Sequence, residues 1–139
     1  MEPTLHNNDL VLVKKYTSGE IPLRGTISVL NLNQEKGGLS VKRIIGLPGD
    51  LIQIRAGIVS VNQLALQSPY IEGLPKTNGM EELCCTVPKG FLFAIADYRN
   101  NAYALDSRTY GPVALSLAYG IVINRLWPWP SRLSMQPTP

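Results

Sequence analysis

The sequence contains a single histidine, His6, and only two cysteines, Cys84 and Cys85, which are neighbours. A zinc site needs more ligands than these, at regular spacings, so no metal and no other cofactor is implied. A disulfide between adjacent residues would strain the peptide joining them and close almost no loop, so both are read as free thiols. No apolar run approaches the roughly 20 residues of a membrane-spanning helix, and no charged-then-apolar leader opens the chain; the residues as given are read as soluble. The 13 basic and 10 acidic residues are scattered, without a basic run. Aromatic residues are not interleaved with them, so no nucleic-acid partner is expected.

What is present is the pattern of an antiparallel β-protein. A chain of 139 residues fits one domain with a real core. Apolar residues recur mostly with period two, punctuated by eleven prolines and twelve glycines. Strands are predicted over Leu10–Lys15, Thr26–Leu30, Leu39–Ile45, Leu51–Arg55, Ile58–Asn62, Gly90–Ala96 and Gly120–Leu126. Leu47-Pro48-Gly49-Asp50 has the residues of a type II turn, and Ala56-Gly57 can close a hairpin. Residues from Gln67 to Pro88 carry neither period and are read as a surface excursion. The proline-rich stretch from Pro128 to Pro139 is expected to fray. The opening MEPTLHNND is polar and turn-like and runs at once into the strand-like LVLV, an abrupt start that points to residues upstream.

One residue conflicts with its surroundings. Lys42 lies in LSVKRIIGLPGD, a strand entering a tight turn. Alternation puts Ser40, Lys42 and Ile44 on one face and Leu39, Val41, Arg43 and Ile45 on the other, so each largely apolar face carries one cation. On periodicity alone this is a solvated edge whose lysine snorkels to water. The alternative is a lysine buried in order to be neutral. Lowering its pKa by some three units from about 10.4 costs on the order of 4 kcal/mol, which a fold accepts only for a base or a Schiff-base amine.

The order of several stretches favours the second reading. MEPTL, NDLVLV, VKRIIGLPGD, then DYRNN and LDSRTYGPV resemble the successive motif boxes of type I signal peptidases, membrane-anchored serine-lysine endopeptidases. VSVNQLALQSPYI resembles the segment between their lysine box and last box. YGPVALSLAYGIVINRLWPWPSR looks closest to bacterial and mitochondrial inner-membrane members. The resemblance implies a mainly β, barrel-like catalytic domain over residues 1–132, truncated at its N-terminus, with a flexible tail over 133–139. It implies a hydrolase that removes signal peptides from exported preproteins. The full-length protein would be membrane-anchored, with its catalytic domain on the outer face.

By the same resemblance Lys42 is the general base, and Asp106 and Arg108 support it by pairing. Arg43 is expected to be structural, paired with an acid or pointing outward. Met1, Leu5, Val11 and Val41 match positions lining shallow pockets for small substrate residues; each is equally an ordinary core residue. The family's nucleophilic serine directly precedes the Met of the first box, a position outside this sequence, so the chain as given is expected to be inactive. Ala102 and Ala104 stand where the family has a serine that hydrogen-bonds the lysine. Trp127 and Trp129 either meet a membrane interface or close the core. Two rivals follow: a pseudoenzyme that only binds extended peptides, and a self-cleaving repressor-type serine-lysine protein. The latter expects a DNA-binding segment and an internal cleavage site, neither seen in these residues.

Overall fold

The computed structural model describes residues 1–33, 38–66, 77, 82–100 and 105–133. Ala102, Ala104, most of the Gln67–Pro88 excursion and the tail beyond Leu133 lie outside the described residues. Among the described residues eleven strands follow in order: β1 (Leu10–Lys15), β2 (Ile27–Asn33), β3 (Gly38–Gly46), β4 (Leu51–Arg55), β5 (Ile58–Val61), β6 (Leu64–Ala65), β7 (Glu82–Thr86), β8 (Phe91–Ile95), β9 (Val113–Ala114), β10 (Ala118–Trp127) and β11 (Ser131–Arg132). A single helical turn, α1 (Ser107–Tyr110), separates β8 from β9.

All pairings are antiparallel. One sheet runs β1-β10-β2-β3-β8-β9, with β11 added to β10; the other runs β6-β5-β4-β7. The predicted β4–β5 hairpin is present, and its two loop residues have positive φ, 48° at Ala56 and 79° at Gly57. That is the backbone of the primed turns that suit strand twist. In the LPGD turn Gly49 has φ 91°, and the Asp50 N–H donates to Leu47 O at 3.0 Å. The Asp50 carboxylate closes the turn by accepting from Leu47 N at 2.7 Å and from Arg24 Nη2 at 2.8 Å.

Two predictions are corrected. Glu82–Thr86, assigned to the surface excursion, is β7 and pairs with all five residues of β4. The chain beyond Pro128, expected to fray, returns at Ser131–Arg132 to pair with Arg125 and Asn124. Both segments complete ladders set by a distant strand, which local periodicity does not reveal.

The larger sheet buries a cluster on each face. Ile27 and Val29 of β2 pack with Leu5 and Val122, whereas Leu30 packs with Ile44, Leu92 and Ala94 on the other side. Ile45, Phe93 and Ile95 join it to Ile52, Ile54, Val59 and Val61 of the smaller sheet. Burial of these apolar side chains, about 1.5–3 kcal/mol each, is the main stabilising term. β3 passes through all of this, so Lys42 and Arg43 are carried to the middle of the larger sheet. Among the described residues no helix is long and apolar enough to cross a membrane.

Candidate active site

β3 is held on one side by β2 along its length, with Lys42 opposite Ser28 and Ser40 opposite Leu30. On its other side β8 begins only opposite Arg43. Ile44 exchanges hydrogen bonds on the β2 side, donating to Thr26 O at 2.9 Å and accepting from Gly25 N at 2.8 Å. By the pleat, the N–H and C=O groups of Leu39 and Val41 therefore face the opposite side, past the end of β8. Among the described residues this edge has no strand partner.

Facing that edge is the N-terminal segment, turned back on itself by Met1 O, which accepts from Thr4 N at 3.0 Å and Leu5 N at 3.1 Å. Between the two lies a groove of about 360 Å³. Met1, Leu5, Val11, Val41 and Lys42 all line it, and so does Ser40; Glu2, His6 and Asp9 supply its charged or polar wall. Met1, Val11 and Val41 also pack onto the cluster around Leu5. They thus serve as core on one side and groove wall on the other.

Lys42 is half-buried. Loss of water around its amine lowers its pKa below the usual lysine value, opposed by the Asp106 carboxylate and assisted by Arg108. The α-amine of Met1 is lowered too, first by burial, and both Asp97 and Lys42 act on it. Residues separated by the first two strands and their connections are thus brought together.

Two ion pairs back the site. Arg43 lies on the face opposite Lys42, where Nε donates to Asp97 Oδ1 at 2.7 Å and Nη2 to Oδ2 at 2.6 Å; Nη1 donates to Gly25 O at 2.7 Å. Thr4 Oγ1 donates to the same Asp97 Oδ2 at 2.6 Å, tying the N-terminal segment to the end of β8. In the second pair Arg108 Nε and Nη2 donate to Asp106 at 3.0 and 2.8 Å. Asp106 also caps α1 by accepting from Arg108 N at 3.1 Å, and it accepts from Ala96 N at 2.9 Å. Arg108 Nη1 reaches Arg99 O at 3.0 Å, and Ser107 Oγ accepts from Ala94 N at 2.9 Å. All four charged side chains are buried.

Two further residues escaped sequence reasoning as site members. Asp97 is the counterion that an arginine on an apolar strand face requires, and it stands where the apolar run FLFAIA ends. Arg99, fully buried beside these pairs, sits in a stretch that reads as a polar turn.

Residues 1–127 match the family model described as signal peptidase, peptidase S26. The chain belongs to that family. Signal peptidase I of Leptolyngbya laminosa is 35% identical over 136 residues, covering 92% of this chain and 64% of that protein. The mitochondrial ATP-independent inner membrane protease subunit 1b of Arabidopsis thaliana is 30% identical over 141 residues, covering 100% of this chain and 72% of that one. A crystal structure of a signal peptidase I from Enterococcus faecalis superposes with a TM-score of 0.59 at 26% identity, covering 73% of this chain and 97% of that chain. The chain spans less than two thirds of the length of the first two signal peptidase relatives, 64% and 60%. Antiparallel architecture and family membership agree with the reading of the motif boxes.

Proposed function

We propose that this chain is the peptide-binding and base-carrying part of a serine-lysine signal peptidase. The observation that carries the reading is that Lys42, its amine shielded from water, and Met1 line one groove along the open edge of β3. A serine joined ahead of Met1 would hold its hydroxyl toward an amine whose pKa burial lowers, which favours the neutral, proton-accepting form. Neutral Lys42 accepts the serine proton as the oxygen attacks the scissile carbonyl; the amine then protonates the leaving nitrogen, and an acyl-enzyme remains. In the second half Lys42 takes a proton from water, whose oxygen attacks the ester and releases the serine. Asp106 and Arg108, held to each other at the start of α1, are the charges that act on the Lys42 amine.

The substrate is an extended segment of an exported preprotein. It adds as a strand to the open edge at Leu39 and Val41, which supplies main-chain hydrogen bonds, while Met1, Leu5, Val11 and Val41 admit small side chains. On this reading the groove binds such peptides, and their hydrolysis requires the serine ahead of Met1. Trp127 and Trp129, 65% and 77% exposed, do not close the core. With Leu10, the cross-strand partner of Trp127, they form an apolar edge suited to a membrane surface. Trp129→Ser should then reduce co-sedimentation with lipid vesicles.

Titration of the 139-residue chain with a peptide ending its signal in Ala-x-Ala, followed by backbone NMR, tests the groove. Shifts confined to the N-terminal segment and Gly38–Lys42 are expected. Shifts elsewhere, or none at millimolar peptide, would remove the basis of the assignment.

A further inference from the structure

Arg125 of β10 is not one of the residues that line the groove, yet it stands behind much of the groove's wall. That wall includes the turn His6-Asn7-Asn8-Asp9, where Asn8 takes a left-handed φ of 69°, a region that asparagine enters more readily than most residues. Asp9 closes the turn twice: its N–H donates to His6 O at 3.3 Å, and its Oδ2 accepts from His6 N at 2.9 Å. His6, Asn7 and Asp9 all line the groove, as does Val11 two residues on. Arg125 meets this segment at two points. Its Nη1 lies 3.5 Å from the same Asp9 Oδ2, and across the strands it is the partner of Val11. Here the register shifts, since Leu10 pairs with Trp127 and the next residue, Val11, with Arg125; such an irregularity re-aims side chains at the end of a ladder. On its other side Arg125 Nε donates to Trp129 O at 3.1 Å, and Ser131 of β11 pairs with it. The guanidinium is thus fixed by the chain behind it and holds a carboxylate in front.

We propose that Arg125 is a positioning residue of the groove: through the Asp9 carboxylate it holds the His6–Asp9 turn where an extended substrate meets it. The role rests on the groove being the peptide site. A wall that is already ordered loses less freedom when a peptide arrives, and affinity gains what is saved. A guanidinium suits the task because its N–H groups point in fixed directions, so that one reaches Trp129 O while another faces Asp9. The turn needs such a hold, since the regular ladder of β1 with β10 starts only at Leu10. The Arg125 side chain is 21% exposed, and an ion pair that remains partly in water adds little to global stability. The effect of Arg125 therefore falls on binding more than on folding.

The test titrates the 139-residue chain and its variants with the Ala-x-Ala peptide, and follows urea unfolding and exchange of the His6 amide beside it. Arg125→Gln should weaken binding about fivefold and speed His6 exchange, with a urea midpoint close to that of the unaltered chain. Arg125→Lys keeps the charge but reaches one partner at a time, so it should fall between the two. Asp9→Asn should also weaken binding, and the double variant should bind no worse than the weaker single one, because both substitutions break the same link. Unaltered affinity in a folded Arg125→Gln overturns the proposal, as do fully additive effects of the Arg125 and Asp9 substitutions. Failure of both Arg125 variants to fold overturns it too, since the residue would then serve the fold and not the groove. Absence of binding by the unaltered chain is a separate result: it removes the groove as the peptide site and the role of Arg125 with it.

Discussion

Arg43, the residue after Lys42, grips both carboxylate oxygens of Asp97 at 2.7 and 2.6 Å in a pocket that also holds Thr4. One strand therefore presents the Lys42 amine to one face and an anchor to the other. The anchor fixes β3, the end of β8 and the N-terminal turn relative to each other, so the groove and the amine are set by one ion pair.

Breaking that pair leaves a buried charge alone. Asp97→Ala should destabilise the chain by about 3 to 5 kcal/mol in urea unfolding. Replacing both partners by apolar residues, Arg43→Met with Asp97→Leu, should recover much of the loss. A single substitution costing less than about 1 kcal/mol would show that the anchor contributes little.

Stability should depend on pH through Lys42. Its folded pKa is lowered from 10.5, first by burial, so between the two values the unfolded chain binds more protons and stability rises with pH. Below the folded pKa the penalty for burying a charged amine is fully present. Lys42→Met should therefore raise the urea midpoint most at pH 6, with the gain shrinking as the pH approaches 10.5. A gain that is the same at pH 6 and pH 10 would contradict the lowered pKa.

If the open edge of β3 receives a peptide strand, it makes a separate demand on that peptide. Methylating the peptide nitrogen that meets the Val41 carbonyl removes one hydrogen bond, which should weaken binding about fivefold. Methylation one residue along, where the N–H points away, should be tolerated. Equal effects at both positions would exclude strand addition.

Lys42 was legible because a cation on an apolar strand face violates alternation, and the motif order then gave it a role. The hairpin at Ala56-Gly57 and the LPGD turn were legible because their φ requirements are local. β7 was not, since Glu82–Thr86 forms only against β4, some thirty residues earlier in the chain. Nor was the burial of Asp97, Arg99 and Asp106. These three side chains stand among polar residues that look solvated, and they are buried where Ser107 Oγ accepts from Ala94 N and Asp106 accepts from Ala96 N, docking the α1 end on β8.

The central claim is that Lys42 serves a hydroxyl placed directly before Met1. The most direct measurement is hydrolysis of a detergent-solubilised preprotein whose signal ends in Ala-x-Ala, by the chain extended with Ser-x-Ser ahead of Met1. The extended protein should cleave after the second alanine, with a rate that rises with pH through the Lys42 titration, and Lys42→Ala should abolish it, as removal of a general base or nucleophile removes nearly all the covalent route's acceleration. An extended protein that folds and binds the peptide yet releases no product would contradict the claim and leave a peptide-binding pseudoenzyme in its place.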